Sequence, residues 1–192
     1  HIRAADAIPA ANGGLGDDWD NFDFQRINEA GTYLITGDTG GGSSDNDEFV
    51  SVNGVIVARE GDLFDGCCID GGIEFADLNE DGIWAAIWDF DDDITGGGSD
   101  EEAIYLGDAA GVSQLLIKEG DQVSVGGSLQ TLTDITTGLA IGDVQGDGTY
   151  YVWFRGVSDG VQRQFVIAVP EPSTLGLLGL GVALAGVRRR RA

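Results

Sequence analysis

Histidine and cysteine are scarce in this chain of 192 residues, which contains one His and two Cys. The only histidine is His1, so a serine or cysteine nucleophile has no imidazole base, and a catalytic triad is excluded. Cys67 and Cys68 are adjacent, which is poor spacing for a mutual disulfide, and a zinc site needs four ligands at separated positions. These absences predict a non-catalytic protein, with a glycosidase-type pair of carboxylates as the enzymatic alternative.

Basic residues are also few, and their placement divides the chain into two parts. The 10 Lys and Arg residues stand against 33 Asp and Glu residues, which gives a formal net charge of −23. Six basic residues and 32 acids precede Val169, a difference of −26, whereas Glu171 and four arginines give the tail a charge of +3. So acidic a body repels nucleic acid and anionic membranes, and it attracts cations. We therefore expect no nucleic-acid partner.

The C-terminal tail has three parts in order. The first is a proline-containing motif made of Val169, Pro170, Glu171 and Pro172. The second is an uncharged apolar run, whose larger side chains are Leu175, Leu177, Leu178, Leu180, Val182, Leu184 and Val187. The third is a basic cluster made of Arg188, Arg189, Arg190 and Arg191.

Each part of the tail has a physical meaning. Pro170 and Pro172 hold the backbone extended, which is the conformation in which proteases bind their substrates. The apolar run partitions into lipid, and its length over residues 175–187 makes a short span beside the roughly 20 residues that a bilayer needs. The arginines stay on the cytoplasmic side by the positive-inside rule. We predict a C-terminal apolar helix that forms a short transmembrane segment, with the body outside and only transient contact with the inner membrane.

Residues 169–192 closely resemble the PEP-CTERM sorting signal of Gram-negative bacteria. The resemblance rests on the Pro-Glu-Pro triplet, the Gly/Leu-rich segment and the arginine cluster. It implies that the protein is a substrate of exosortase, a membrane cysteine protease expected to act near Pro-Glu-Pro, and that its host makes exopolysaccharide and biofilm. The implied localisation is a membrane-tethered precursor that is processed and then lies at the cell surface or outside the cell.

Three stretches of the body resemble one another. They occupy residues 22–35, 73–86 and 139–152. Each consists of an alternating strand, a four-residue turn that ends in glycine, and a second alternating strand. A second mark recurs as Arg-Glu-Gly-Asp at 59–62, Lys-Glu-Gly-Asp at 118–121 and, in decayed form, Arg-Ala-Ala-Asp at 3–6. The spacings indicate a repeat unit of roughly 50 to 70 residues.

Each unit is expected to contain four strands. In the second unit, the alternating segments span about 73–78, 83–90, 103–107 and 112–118. In the first unit, residues 48–52 and 55–59 flank Asn53-Gly54, a strong signal for a hairpin. Four-stranded antiparallel units that repeat at this period predict an all-β, propeller-like fold, with a β-sandwich as the alternative.

The repeats and the tail motifs divide the chain into a β-repeat body at 1–168 and a sorting signal at 169–192. The units within the body are 7–62, 63–121 and a partial unit at 122–168. Residues 1–5 are interpreted as the last strand of an incomplete unit, and residues 131–168 as a unit that lacks its last strand. The printed chain begins without a basic and apolar leader, so we expect a fragment of a longer protein, or a ring closed by the N-terminal strand.

The body also resembles the choice-of-anchor tandem-repeat surface proteins of bacteria, which are marked by Asn-x-x-Gly before an apolar strand and by a later Arg-Glu-Gly-Asp. Residues 28–31 and 79–82 fit the first mark, and Gln145 departs from it in the third copy. The resemblance implies no catalytic residues.

Asp77, Asn79 and Asp81 alternate before Gly82, as ligands do in the front half of a calcium loop. Position 88, where an EF-hand needs an acid, is Trp. A hairpin turn whose side chains cap local backbone groups is the alternative. Calcium at these three residues is the one metal predicted, and the acidic run at 100–102 is interpreted as part of a solvated loop.

Five aromatic residues lie on alternating segments, namely Trp84, Trp88, Tyr150, Tyr151 and Trp153. We expect most of them in the core, and those that face outward to offer stacking surfaces for sugar rings. The predicted function is an exported surface or matrix protein, structural and linked to exopolysaccharide or biofilm. A glycan- or cation-binding surface module is the alternative.

Overall fold

The structure is a computed structural model, and it describes residues 2–41, 43, 46–64, 67–91 and 101–171. Besides one 3₁₀ turn at Ala10–Asn12, the regular elements described are β-strands. The strands are β1 (Asp18–Trp19), β2 (Gln25–Ile27), β3 (Tyr33–Gly40), β4 (Glu48–Val52), β5 (Val55–Arg59), β6 (Leu63–Phe64), β7 (Cys67–Leu78), β8 (Trp84–Asp91), β9 (Glu101–Asp108), β10 (Gly111–Lys118), β11 (Gln122–Val125), β12 (Ser128–Ile141), β13 (Thr149–Ser158) and β14 (Val161–Pro170).

Three antiparallel sheets follow one another along the chain. The first has the order β1-β3-β4-β5, with β2 also beside β3. The second has the order β10-β9-β8-β7-β6, and the third has the order β11-β12-β13-β14. The predicted all-β, antiparallel class is therefore confirmed. The proposed unit boundaries, after residues 62 and 121, lie between successive sheets.

The hairpin predicted around Asn53-Gly54 is confirmed with its bounds. β4 and β5 are Glu48–Val52 and Val55–Arg59, and Val52 pairs with Val55 across the turn. Asn53 has a φ of 53° and Gly54 a φ of 79°. A two-residue hairpin turn of type I′ needs positive φ at both central residues, and Asn followed by Gly meets this need at the least steric cost.

The middle sheet is covered on both faces. Trp84 and Trp88 of β8 pack into one core cluster with Leu34 of the first sheet. The intervening Ala85 and Ile87 pack into another cluster, with buried residues of β12 and β13. Because successive side chains of a strand point to opposite faces, this alternation places the second sheet between the first and the third. Each sheet of a two-sheet sandwich keeps a solvent face, which the middle sheet lacks.

The described residues show three stacked sheets, and a closed ring of propeller blades is not seen among them. The third sheet consists of the short β11 and the longer β12, β13 and β14. β14 forms one edge of this sheet, and no described strand pairs with that edge, as a closed ring would require. Residues 3–6 form a turn and not the predicted strand, because the amide of Asp6 donates to the carbonyl of Arg3 at 3.1 Å. The chain before β1 thus contributes a turn and packing residues to the first sheet.

The predicted C-terminal helix, with the apolar run at 175–187 and the arginines at 188–191, lies outside the described residues. The same holds for Pro172. In the part of the chain that the structure describes, no helix is long and apolar enough to cross a membrane.

Candidate functional site: the sorting motif and the joints between sheets

The first residues of the predicted sorting motif are built into the last strand. β14 ends at Pro170, and Val169 pairs with Tyr150 of β13. The side chain of Val169 is 2% exposed and belongs to the core. Pro170 has no N–H group, and it occupies the end of a strand whose described partner is β13 alone, where a missing donor is tolerated. The motif therefore begins inside the folded body.

The next motif residue, Glu171, is also tied to the body. Its amide donates a hydrogen bond to the carbonyl of Gly148 at 2.8 Å. Burial, with the nearby carboxylate of Glu171, raises the pKa of Tyr150 to about 12. Both residues border a cleft of about 290 Å³, which is also lined by Asp81, Ile83, Gly107, Asp108 and Ser113.

Asn28 and Asn79, the first residues of two repeat turns, have the same two roles in successive sheets. The Oδ1 atom of each accepts a hydrogen bond from the amide four residues later, at Thr32 and Ile83, both at 2.8 Å. The Nδ2 atom of Asn28 donates to the carbonyl of Asn79 at 3.1 Å, and that of Asn79 donates to the carbonyl of Gly142 at 3.0 Å. Each asparagine thus closes its own turn and fastens it to the next sheet.

The predicted calcium ligands belong to the same set of contacts between successive sheets, which we call a joint. The carboxylate of Asp77 accepts hydrogen bonds from Nε of Arg26 at 3.1 Å and from a backbone amide of β12 at 3.2 Å. The carboxylate of Asp81 accepts from the amide of Val144 at 2.7 Å. Since Asn79 Oδ1 is also engaged, protein donors contact an oxygen of each of the three residues, and a calcium ion would compete with them. Calcium at this turn stays a prediction. The observed contacts are those of the alternative, a hairpin turn whose side chains cap backbone groups, and some of these groups belong to a neighbouring sheet.

The second repeat mark forms one kind of turn at three places. In each, the amide of the final Asp donates to the carbonyl three residues before it, in Asp6 to Arg3 (3.1 Å), Asp62 to Arg59 (3.1 Å) and Asp121 to Lys118 (3.2 Å). The third residue has a positive φ, which is 63° at Ala5, 82° at Gly61 and 86° at Gly120. Residues 3–6, interpreted from the sequence as a decayed copy, share this turn geometry, and their origin as a repeat stays a prediction.

These turns also join one sheet to the next. The amide of Gly61 donates to the carbonyl of Ile69 in β7 at 2.7 Å, and the amide of Gly120 donates to the carbonyl of Leu132 in β12 at 2.8 Å. The glutamate of the mark adds a side-chain contact, because Glu119 accepts a hydrogen bond from the amide of Ile135 at 2.8 Å. Glu60 accepts in the same way from a backbone amide of β7 at 3.0 Å.

Two groups of carboxylates lie in or beside these sheets, and the sequence pattern did not single them out. In each group, carboxylate oxygens lie within 4.8 Å of one another. The groups are Asp23, Asp38 and Glu48, and Glu102, Glu119 and Asp134. Glu102 was expected in a solvated loop, and this was wrong, because it lies in β9 and is partly buried.

Crowding of these carboxylates opposes their ionisation. Burial raises the pKa of Glu48 to about 9, and a hydrogen bond to Asp38 with its negative charge adds to the effect. Burial, with the neighbouring Glu119 and Asp134, raises the pKa of Glu102 to about 8. Protonated glutamates at neutral pH donate hydrogen bonds, which favours pairing between carboxyl groups.

A sequence signal for these groups exists in retrospect. Glu48 pairs with Asp38 across β3 and β4, and the amide of Glu119, just after β10, donates to the carbonyl of Glu102 in β9. Acids near the ends of adjacent predicted strands are therefore the sequence pattern that predicts such a carboxylate group. Neither of the clefts described, of about 310 and about 290 Å³, is lined by these carboxylate groups. The cleft of about 290 Å³ is instead bordered by the acids Asp81, Asp108 and Glu171, so the glycosidase-type alternative stays an expectation.

The expectation that most of these aromatic residues lie in the core is confirmed. Trp84 and Trp88 are 0% exposed and Tyr150 is 2% exposed. Tyr151 and Trp153 instead lie on the other face of β13, with ring centroids 5.9 Å apart.

Comparison with known protein families matches residues 168–191 to the PEP-CTERM protein-sorting motif. The matched region contains the proline motif, the apolar run and the arginine cluster, and it leaves out the repeat body, whose resemblance to choice-of-anchor proteins stays an expectation. No curated protein and no solved structure matches the chain. The chain carries a PEP-CTERM sorting motif at its C-terminal end, and this motif supports an exported, exosortase-targeted protein of the cell surface or the extracellular space.

Proposed function

We propose that this protein is a non-catalytic structural component of the cell surface or extracellular matrix, linked to exopolysaccharide or biofilm. Its precursor is tethered to the inner membrane through the apolar run at 175–187, and exosortase then processes it. The observation that carries the proposal is the PEP-CTERM motif at residues 168–191. A sorting signal determines where a protein is delivered and not what the protein does there. The role of the body is therefore inferred from the structure of the body.

The contacts of the body support a structural role. Polar side chains of the two repeat marks hold one sheet against the next, as Asn79 and Glu119 illustrate. The net charge of −23 favours solubility and mutual repulsion of copies outside the cell. Sheets stacked face to face, with equivalent turns at equivalent places, also support a propeller-like arrangement of the repeats.

The position of the motif supports a particular side for cleavage. A protease holds its substrate as an extended segment that is free to pair with the enzyme. Val169 and Pro170 are paired with β13, and the amide of Glu171 donates to the carbonyl of Gly148, which precedes that strand. Cleavage before Pro170 would require the end of β14 to detach from the sheet. We therefore expect processing on the C-terminal side of Pro170, which leaves β14 intact in the mature protein.

The test is the intact mass of the protein produced in an exosortase-positive host and in a strain that lacks exosortase. Loss of the mass that follows the Pro-Glu-Pro region, only in the positive host, is the expected result. Pro172→Ala should block this loss, and Pro9→Ala, which changes a proline outside the motif, should not. The same mass in both strains would contradict processing by exosortase and leave the tail as a simple tether.

A further inference from the structure

One face of the third sheet presents a row of long side chains to solvent. We call it the open face and define it by Tyr151, Trp153 and Arg155 of β13 with Gln162, Gln164 and Val166 of β14. The register places Trp153 opposite Val166 and Arg155 opposite Gln164, so these side chains share one side of the sheet. Tyr151 is 37% exposed and Val166 is 56% exposed. The opposite side of β13, with Val152 and Phe154, packs into the core.

Glycines of the neighbouring strand make room for this row. A Cβ atom on Gly142 would come within 2.9 Å of Cζ3 of Trp153, so the indole lies directly over that glycine. A Cβ atom on Gly138 would come within 3.2 Å of Cδ of Arg155. The absence of side chains at these two positions lets the ring approach Gly142, just after β12, and the guanidinium stem approach Gly138 within β12. The result is a row that carries an aromatic pair, whose ring planes are tilted by 41°, and a cation.

The equivalent face of the middle sheet has a different composition. Ala85 and Ile87 stand third and fifth after the turn glycine of their repeat, as Tyr151 and Trp153 do after theirs. Both are 0% exposed, because the third sheet covers them. An aliphatic face suits a covering sheet. Rings that carry a hydroxyl and an indole N–H, beside amide side chains, suit a ligand that offers both apolar faces and hydroxyl groups.

The charge of the open face narrows the class of ligand. None of its six residues is acidic, although the chain has 33 Asp and Glu residues. The amides of Gln162 and Gln164 and the guanidinium of Arg155 supply donors for hydroxyl and ring oxygens. A net charge of −23 repels polyanions at long range, so an uncharged polymer approaches this face more readily than an acidic one.

The size of the face argues against a second protein copy. The two strands β13 and β14, at about 4.8 Å spacing and with ten residues each at about 3.3 Å rise, give the open face a projected area of about 320 Å². A stable protein interface needs about 800 Å² on each partner. A narrow chain that follows the row from Tyr151 to Arg155 fits these dimensions.

From these observations we propose that the open face binds an uncharged polysaccharide, whose sugar rings stack on Tyr151 and Trp153 while Arg155 and the two glutamines contact its hydroxyl groups. The inference deepens the proposed surface role by naming a face and a polymer, and its biological meaning rests on export. Binding itself does not depend on sorting, so the two proposals fail separately.

The test uses the purified full-length chain and affinity electrophoresis in gels that contain a neutral glucan, with alginate as an acidic comparison. The expected result is retardation by the neutral glucan and little by alginate. Trp153→Ala and Tyr151→Ala should each weaken the affinity at least about fivefold, because each removes a stacking ring. Ile27→Ala, which removes another exposed apolar side chain, should leave it unchanged, as Ile27 is 73% exposed in the first sheet.

Circular dichroism and the melting temperature establish that each variant is folded, and Trp153→Phe, which keeps a ring, should restore part of the affinity. No retardation of the wild-type chain by any neutral glucan overturns the proposal. So does retardation that survives Trp153→Ala, or a preference for alginate. A concentration-dependent dimer, seen by sedimentation and abolished by Trp153→Ala, would assign the face to a second copy and also overturn it.

Discussion

The Nδ2 atom of Asn79 lies 3.0 Å from the carbonyl oxygen of Gly142, so a side chain of the second sheet holds the backbone of the third. The same residue closes its own turn, since its Oδ1 accepts from the amides of Asp81 and Ile83 at 3.1 and 2.8 Å. Asn79 is 3% exposed. Removal of its amide group would therefore leave several shielded backbone groups without partners.

The first prediction concerns this joint. Asn79→Ala should lower the free energy of unfolding by about 2–4 kcal/mol, because buried donors and acceptors lose their partners. Urea denaturation measures the change. Gln145→Ala is the matched control at the same turn position of the third sheet, since the exposed side-chain amide of Gln145 donates to the nearby carbonyl of Asp143, within its own turn. Equal losses in the two variants would contradict a role for Asn79 between the sheets.

The second prediction concerns pH. Glutamates whose pKa is raised in the folded state favour folding at low pH, and this contribution is lost as the pH rises through the folded-state pKa. With pKa values raised to about 9 at Glu48 and about 8 at Glu102, the free energy of unfolding should fall between pH 5 and pH 9. Urea denaturation at a series of pH values measures this. A stability that rises over this range would contradict the crowding of these carboxylates.

A matched pair of variants isolates the group beside the third sheet. Glu102→Gln keeps the shape of the side chain and removes the charge beside Glu119 and Asp134, so it should stabilise the protein at pH 8 by about 1–2 kcal/mol and have little effect at pH 5. Glu74→Gln, which changes an exposed acid of β7, should have little effect at either pH. A gain from Glu102→Gln that is equal at both pH values would point to packing and not to ionisation.

The third prediction concerns the ion pair between Arg59 and Asp17, whose side chains are 8% and 5% exposed and lie 2.9 Å apart. Arg59→Ala should cost about 3–5 kcal/mol, because it leaves a buried carboxylate without its partner. Lys118→Ala, at the same position of the second mark, should cost about 1 kcal/mol for the loss of a contact with the ring of Phe90. Thermal unfolding, with Asp17→Asn to complete a double-mutant cycle, measures the coupling.

This ion pair should respond to pH in the opposite direction from the glutamates. Burial acts to raise the pKa of Asp17, but the amide of Leu15 and the charge of Arg59 outweigh it and lower the pKa below its usual value. The stability from Asp17 is therefore present above the unfolded-state pKa and is lost as the pH falls through the folded-state value. In the Asp17→Asn variant, stability should fall less steeply at strongly acidic pH than in the wild type.

The fourth prediction concerns the turn of the second mark. Gly120 has a φ of 86° and no atom within 4 Å of an added Cβ, so Gly120→Ala strains only the backbone and should cost about 1 kcal/mol. Gly146→Ala is the matched control, because an added Cβ there also meets open space but the φ is not in the left-handed region. That variant should be neutral or slightly more stable. Equal costs in urea denaturation would mean that the positive φ at Gly120 is not the cause.

Features that depend on a few consecutive residues, such as turns and the sorting signal, could be predicted from the sequence alone. Asn53-Gly54 predicts its hairpin because the need for positive φ arises within two residues. The sorting signal is identified by the Pro-Glu-Pro motif, the apolar run and the arginines, because such a signal is recognised as a continuous segment of sequence. The shared turn at Ala5, Gly61 and Gly120 also follows from a short repeated pattern, although one copy lacks the glycine.

The sequence by itself thus determined the strand-rich class, the turns and the sorting signal, because these depend on neighbours along the chain. Only the tertiary structure decided which acids meet and which aromatic residues remain exposed. Glu102 and Asp134 are far apart in sequence, and the stacking of the sheets brings them together and raises the pKa of Glu102. Trp88 and Trp153 both alternate along apolar strands, but the first sheet covers Trp88 and no described sheet covers Trp153, since burial depends on what packs against a strand.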